Sequence, residues 1–237
     1  MFRLLFLVIV TSLEIESVVG QVTAQDWLKA GNNSQAEKKY DQAINDFSEA
    51  LKLDSKNSDA YYFRGNAYFQ LKKFKEAISD YSSCINIHPN LLHAWYNRGN
   101  AYYELEEFDK AVNDFSKIIS MDSTYYDAFF DRGNTYYKIE KFDLAISDLS
   151  KGLLLKPDHA DGYYDRANAE FQLKMYTLAI QDFQKAIELN PKEHDFYFNK
   201  AITEFNLDMT TEGCADLEKS KDLGDAEAED YLKEFCI

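Results

Sequence analysis

The 237-residue chain is 46% hydrophobic, with 17 Tyr and 17 Phe against only 9 Gly and 3 Pro. This composition argues against a disordered chain and favours helices joined by short turns around a sizeable apolar core. The formal net charge of −15 argues against a nucleic-acid-binding protein, because phosphate recognition needs clustered Lys and Arg. A charged partner is therefore expected to be basic, and no nucleic acid is expected among the partners.

Residues 1–20 are predicted to be a signal peptide. Arg3 precedes an apolar run over residues 4–10, which is far shorter than the about 20 apolar residues that span a bilayer. The small residue Gly20 then precedes a predicted cut at Gln21. The alternative is an uncleaved amphipathic anchor. Cleavage would leave an exported protein, periplasmic or extracellular, with no direct membrane span.

A repeat of 34 residues organises the chain that follows. One triplet recurs in register, as Arg64-Gly65-Asn66, Arg98-Gly99-Asn100, Arg132-Gly133-Asn134 and, weakened, Arg166-Ala167-Asn168. A column of alanines has the same spacing, at Ala43, Ala77, Ala111, Ala145 and Ala179. The two sets predict a first and a second helix in each repeat, and Pro89, Pro157 and Pro191 share one position near the end of the second helix, where Pro stops a helix.

The periodic glycines indicate close helix packing. Glycine inside a helix costs about 1 kcal/mol relative to alanine, so Gly65, Gly99 and Gly133 need a packing reason. We expect them to let the second helix approach at its own alanine.

This pattern of bulky, small, Tyr, Ala, aromatic and Pro columns resembles the tetratricopeptide repeat family. The resemblance covers nearly all of residues 21–237, with degenerate first and last repeats. It implies an all-α, right-handed superhelical solenoid of about six helix hairpins and a C-terminal capping helix. The array is predicted over residues 21–224 and the cap over 225–237, with repeats at about 24–57, 58–91, 92–125, 126–159, 160–193 and 194–224.

Arginine stands where the family usually carries leucine, at Arg64, Arg98, Arg132 and Arg166, with Lys200 in the last repeat. Aspartates recur with the same period, at Asp46, Asp80, Asp114, Asp148, Asp182 and Asp216. Because a buried unpaired charge costs several kcal/mol, we interpret these residues as structural Arg–Asp pairs and not as a ligand site. The sequence leaves open whether each Asp pairs within its own repeat.

The sequence contains no motif for catalysis. The four histidines fall at repeat junctions, outside any metal-ligand spacing, and no phosphate loop or nucleophile elbow is present. We therefore expect no enzyme, no metal and no cofactor.

Two of the three cysteines are predicted to form a disulfide. Cys214 occupies an apolar column that packs on the following helix, and Cys236 lies on the apolar face of the cap, so export would permit a Cys214–Cys236 bond. The alternative is two buried free thiols, the class to which Cys84 is assigned. The C-terminal segment and the signal site also resemble those of exported repeat proteins from Bacteroidetes-type bacteria.

The face of the first helices that lies between the core columns is predicted to bind a partner. Asparagine both donates and accepts, so a row of Asn can pair with the main chain of an extended peptide, while aromatics hold its side chains. The predicted groove comprises Tyr62, Asn66, Tyr96, Asn97, Asn100, Asp127, Phe130, Asp131, Asn134, Asp161, Tyr164, Asp165 and Asn168. The alternative is that the Asn row only bonds neighbouring helices.

The acids in this groove set the expected partner. The family's clamp for a C-terminal carboxylate needs Lys and Arg, whereas Asp131, Asp161 and Asp165 stand at the matching places. The leading hypothesis is therefore a protein-interaction scaffold that binds an extended, basic or neutral polypeptide segment. The alternative is a structural or assembly subunit of a cell-envelope complex that uses its convex surface or the ends of the array.

Overall fold

The computed structural model describes residues 22–236, and within that range the chain folds into thirteen α-helices and no strand. The predicted signal peptide lies outside the described residues. None of the helices in the described range has the length and apolarity to cross a bilayer. The helices are α1 Ala24–Ala36, α2 Tyr40–Leu53, α3 Ser58–Gln70, α4 Phe74–Ile87, α5 Leu92–Glu104, α6 Phe108–Met121, α7 Tyr126–Lys138, α8 Phe142–Leu155, α9 Ala160–Gln172, α10 Tyr176–Leu189, α11 His194–Phe205, α12 Thr210–Asp222 and α13 Ala228–Phe235.

The first twelve helices form six hairpins, and α13 packs on α12 as a cap. This arrangement confirms the predicted all-α repeat solenoid. Each hairpin turns through one residue in the left-handed region, with φ between 56° and 59°. In the second hairpin, the Lys72 and Lys73 N–H groups donate to the Phe69 and Tyr68 carbonyls at 2.9 Å each, which closes the end of α3. The turn residues are Lys38, Lys72, Glu106, Glu140, Lys174 and Asp208.

The repeated glycines face large side chains of the second helix. A Cβ added at Gly65 would lie 2.8 Å from Cε1 of Tyr81, and one added at Gly99 would lie 2.8 Å from Cε1 of Phe115. The bulky residue one turn beyond the alanine column fills the space that these glycines leave, and at Gly133 an added Cβ would also lie 3.4 Å from the backbone carbonyl oxygen of Ala145. The alanine column itself lies fully buried.

The first helices of the hairpins line the inner face of the array. Successive first helices contact one another directly, from α1 and α3 to α9 and α11, whereas second helices have no comparable contact with each other within residues 22–236. A stack whose first helices lie closer together than its second helices curves toward the first helices. We call the surface that α3, α5, α7 and α9 share there the inner face.

A ladder of arginines on the first helices connects successive second helices. Arg132 donates from Nε and Nη2 to Asp148 of its own repeat at 2.6 and 2.8 Å. Its Nη1 donates to Ser116 of the preceding repeat at 2.8 Å. The same three bonds recur at Arg64, Arg98 and Arg166. Each Arg therefore pairs within its repeat and bonds to the one before, which is the choice that the sequence left open.

In the first and last repeats other side chains take the place of the arginine. In the last repeat Lys200 pairs with Asp216 and, at 2.8 Å, with Glu204. In the first repeat no arginine is present, and Asp46 accepts hydrogen bonds from Ser34 and Gln42 at 2.8 and 3.0 Å.

The cap is bonded covalently to the last hairpin. The Sγ atoms of Cys214 and Cys236 form a disulfide, with the two Cα atoms 5.8 Å apart. Cys84 is a fully buried free thiol, and burial raises its pKa to about 11. A thiol in this state is a poor nucleophile at neutral pH.

Candidate partner-binding groove

Two cavities of related construction open on the inner face. The first has a volume of about 300 Å³ and is lined by Gln35, Asn66, Phe69, Gln70, Tyr81, Asn97 and Asn100. The second has a volume of about 170 Å³ and is lined by Tyr103, Asn134, Tyr137, Lys138, Asp165 and Asn168. Every residue of the second cavity lies two repeats after a residue of the first. The 34-residue period therefore places amide and aromatic side chains at equivalent points of the groove.

The predicted asparagine row divides into two groups. Asn66 accepts from Nδ2 of Asn97 at 2.8 Å, and Asn134 donates to Oδ2 of Asp165 at 2.9 Å, so both bond to the next first helix. Asn100 and Asn168 make no such bond to the next first helix within the described range, and each lies on a cavity wall. Neighbouring helices thus engage half of the row and leave the other half facing the groove.

The predicted aromatics lie between the groove and the core. The rings of Tyr62, Tyr96 and Tyr164 are half-buried and pack on the core rings of their own repeats, with centroids 6.1, 6.1 and 5.8 Å apart. Their hydroxyls reach toward the next repeat, as where Nδ2 of Asn199 donates to Tyr164 at 2.7 Å. Because their rings pack on the core, these tyrosines can contact a partner only through the ring edge and the hydroxyl group.

Phe130 does not line the groove, and the prediction that it does is wrong. Its side chain is only 4% exposed, and its ring stacks on His159 at 4.2 Å. A Cβ added at Gly152 or Gly162 would lie 2.7 or 2.6 Å from Cε1 of this ring. Because the two glycines have no Cβ, they leave space in the core that the phenyl ring fills. The ring is therefore not accessible to a partner.

Two groove carboxylates are held in partly desolvated positions. Asp131 and Asp165 are half-buried on α7 and α9, and burial raises the pKa of each to about 6. Oδ2 of Asp131 is buried and has no hydrogen-bond partner in the described range. Asp127 and Asp161 lie one turn earlier on the same helices, and each adds a smaller repulsion that raises the same pKa further. The inner face therefore carries negative charge, and neither Asp131 nor Asp165 forms an ion pair among residues 22–236.

Asp127 and Asp161 have a second role in the structure. Both lie in the first turn of their helices, where a carboxylate is favoured by the positive end of the helix dipole. Neither lines either of the two inner-face cavities, and Asp161 is exposed. In the described part of the chain no cluster of His, Cys, Asp or Glu side chains has an arrangement that could hold a metal ion.

The sequence reasoning missed part of the cavity walls. Phe69, Tyr103 and Tyr137 line the cavities, and together with Gln35 they occupy one column of the repeat at the end of the first helix. This 34-residue spacing of aromatics is visible in the sequence. The sequence alone does not show that residues at the end of the first helices line the groove.

A curved stack of antiparallel helix hairpins with an inner groove is the architecture of a helical-repeat protein. Sequence profiles described as tetratricopeptide repeat match residues 93–125, 126–159 and 160–193, and a profile described as TPR repeat matches residues 35–72 and 65–106. Together these matches run without a gap from residue 35 to residue 193. The chain belongs to the tetratricopeptide repeat family.

Solved structures of low sequence identity share this fold. The MamA protein is 23% identical over 72% of this chain and 93% of its own, with a TM-score of 0.69. YrrB, described as a TPR protein with an unusual peptide-binding site, is 20% identical over 79% and 97%, with a TM-score of 0.68. Pseudomonas aeruginosa pilF is 16% identical over 89% and 97%, with a TM-score of 0.72. Among curated proteins none matches the sequence significantly.

Proposed function

We propose that the protein is an interaction scaffold whose inner face binds an extended, basic or neutral polypeptide segment. The observation that carries this proposal is the pair of cavities at equivalent repeat positions, whose walls combine amide and aromatic side chains, with a carboxylate in the second. An extended segment that runs along the array would meet amides and aromatic rings at points two repeats apart. The proposal assigns no catalytic residue and no cofactor.

The polar groups of the groove suit a polypeptide main chain. Asn100 and Asn168 each carry an amide with one acceptor and two donor positions, which matches the alternating N–H and C=O groups of an extended chain. Asp131 and Asp165 would repel an acidic segment and attract a basic one, because both are charged at neutral pH and neither is ion-paired in the described part of the chain. YrrB, which shares this fold, has a peptide-binding site according to its description.

A peptide library displayed on phage tests the proposal with the full chain as bait. We expect the recovered peptides to be neutral or basic, and their affinity to fall at least about tenfold when Asn100 and Asn168 are both replaced by Ala. The matched control is the replacement of Asn45 and Asn113 by Ala, since both are exposed and lie on the second helices α2 and α6.

Three results would overturn the proposal. The library could yield no peptide, it could yield acidic peptides, or the Asn45/Asn113 control could weaken binding as much as the Asn100/Asn168 variant. Circular dichroism and the melting temperature of each variant show whether the array remains folded.

An assembly role remains the second candidate, on a separate observation. Met175, Leu178 and Leu207 are 39%, 43% and 39% exposed and line one cavity at the hairpin edge, away from the inner face. Exposed apolar groups that gather in this way favour contact with another protein. Replacing Leu178 and Leu207 by Ser should then abolish co-purification of an envelope complex and leave peptide binding unchanged.

We also propose that the protein acts after export, in the periplasm or outside the cell. The Cys214–Cys236 disulfide supports this location, because such bonds persist in oxidising compartments and are rare in the cytosol. Fractionation of the source cells, with Edman sequencing of the purified protein, tests the location and the predicted cut before Gln21. Recovery of the full-length chain in the cytosol would overturn this proposal.

A further inference from the structure

We infer that the second cavity is a subsite for one lysine or arginine side chain of the bound segment, and that the first cavity takes an uncharged polar side chain. The inference rests on the proposed function and assigns different specificities to two parts of the same groove. Of the differences between the cavities, one carries the inference: the position of Asn97 in the first is held by Asp165 in the second.

The aspartate sets the orientation of the amide beside it. In the second cavity Asn134 must donate, because a carboxylate only accepts, and its Nδ2 lies 2.9 Å from Oδ2 of Asp165. Oδ1 of Asn134 then has no hydrogen-bond donor among residues 22–236. This carbonyl oxygen and the carboxylate form a pair of acceptors, which is what an ammonium or guanidinium group requires.

The first cavity has the opposite arrangement of its amide. There Asn66 accepts through Oδ1, from Nδ2 of Asn97 at 2.8 Å and from the Tyr81 hydroxyl at 2.8 Å. Its own Nδ2 is therefore the group that remains for a partner. With Gln35, Gln70 and Asn100 on the same walls, this cavity offers donors and acceptors without net charge. Such walls suit an amide or hydroxyl side chain, since a cation would lose its hydration there without gaining a carboxylate.

The surroundings of Asp165 increase the preference of the second cavity for a cation. Asp161, on the same helix, and Asp131, on α7, both lie near enough to raise the pKa of Asp165. Tyr103 and Tyr137 also line this cavity, and their aromatic rings can interact with a cation. A ligand cation would thus relieve the repulsion among these carboxylates as well as bond to one of them.

One basic side chain of the protein also lines this cavity. Lys138 is exposed and occupies the register position of Gln70 in the first cavity, and it forms no ion pair within the described range. It is the group that would compete with a ligand cation for Asp165. Its replacement by Gln should therefore strengthen the binding of a cationic segment, whereas a purely structural Lys138 would leave binding unchanged.

The test uses peptides recovered from the library described above, each compared with an analogue in which one Lys or Arg is replaced by norleucine. We expect one such replacement to weaken binding to the wild-type chain about tenfold, and to have no effect on binding to the Asp165→Asn variant. The Lys138→Gln variant should bind the parent peptide more tightly than the wild type does. Isothermal titration calorimetry measures all of these affinities.

The matched control moves the charge to the other cavity. In the double variant Asn97→Asp/Asp165→Asn the first cavity carries the carboxylate, so the preferred position of the cation along the peptide should shift. The inference is overturned if norleucine binds as well as lysine at every position, or if Asp165→Asn keeps the full preference for lysine. Both of those results leave the proposed function intact, whereas a library that yields no peptide overturns the proposed function itself.

Discussion

The ring of Phe130 stacks on the imidazole of His159, with centroids 4.2 Å apart and planes inclined by 18°. Nδ1 of the same imidazole accepts a hydrogen bond from the Gly162 N–H at 2.8 Å and so caps α9. We expect His159→Ala to lower the free energy of unfolding by about 1–2 kcal/mol, through loss of the cap and of the stacking contact. The His159→Asn variant should recover part of this loss, because Asn can cap the helix. Urea denaturation at neutral pH measures both, and equal stability of all three proteins would contradict the assignment.

Burial of the Asp131 carboxylate should destabilise the protein at neutral pH. Its pKa is raised to about 6 in the folded state, chiefly by burial, whereas an unfolded aspartate titrates near 3.8. The folded state therefore holds the proton more tightly, and stability is lost as the pH rises from about 4 through 6. Asp131→Asn should raise the melting temperature at pH 7.5 and have little effect at pH 4. A gain of equal size at both pH values would show that titration of this carboxyl is not the cause.

The Arg132–Asp148 pair should be costly to break from one side. The two side chains are 17% and 9% exposed, so Arg132→Leu leaves a carboxylate buried without its cation. We expect a loss of about 3–5 kcal/mol, and recovery of most of it in the double variant Arg132→Leu/Asp148→Leu. A double-mutant cycle of unfolding free energies, measured by urea denaturation, gives the coupling free energy between the two side chains. Additive losses would show that the pair is not held as one unit.

Gly99 should tolerate a methyl group but not a larger side chain. An added Cβ would lie 2.8 Å from the ring of Phe115, yet the fifth repeat already holds Ala167 at the equivalent position, in the same apolar cluster as Phe183. We therefore expect Gly99→Ala to change stability by no more than about 1 kcal/mol, since the gain in helix propensity offsets the crowding.

We expect Gly99→Leu to destabilise the protein by about 3 kcal/mol or more, because α6 cannot move away from Gly99 without losing its own packing contacts. Thermal unfolding followed by circular dichroism compares the two variants. A Gly99→Leu protein as stable as Gly99→Ala would contradict the close approach.

The disulfide should stabilise the C-terminal cap. The bond between Cys214 and Cys236 closes a loop with a sequence separation of 22 residues, which corresponds to about 3 kcal/mol against unfolding of that loop. Thiol titration of the denatured protein should find one free thiol, that of Cys84, and a count of three would reject the bond. Hydrogen exchange in α13 should increase after reduction while exchange in α5 and α6 stays unchanged.

The helices could be predicted from the sequence because their cause is local. A position that recurs every 34 residues has the same neighbours in each repeat, so small columns, alanines and prolines mark two helices and their ends without any knowledge of the third dimension. The pairing of Arg132 was different. Asp148 and Ser116 both lie sixteen positions away, one after it and one before it. Only the stacking of hairpins shows that the guanidinium reaches both.

The groove was harder to predict because it depends on departures from the repeat. Gly152 and Gly162 each differ from the residues at the same position of the other repeats, and each difference alone is a small change of side-chain volume. Their joint effect, a niche for Phe130 between two repeats, arises from packing across about 30 residues of sequence. The exchange of Asn97 for Asp165 is equally visible in the sequence. Its consequence for the neighbouring amide appears only when the hydrogen bond is placed.

The arginine ladder also bears on how such a chain can lengthen. Each arginine takes an aspartate from its own repeat and a serine from the repeat before, so a duplicated 34-residue unit inserted in register brings one of each and leaves no charge unmatched. An insertion of another length inside one of these helices would instead move an arginine out of register with its acceptors. The ladder is therefore compatible with the addition of whole repeats between Ser48 and Arg166. Beyond that stretch, where Gln184 replaces the serine and Lys200 the arginine, an added copy would no longer find its partners.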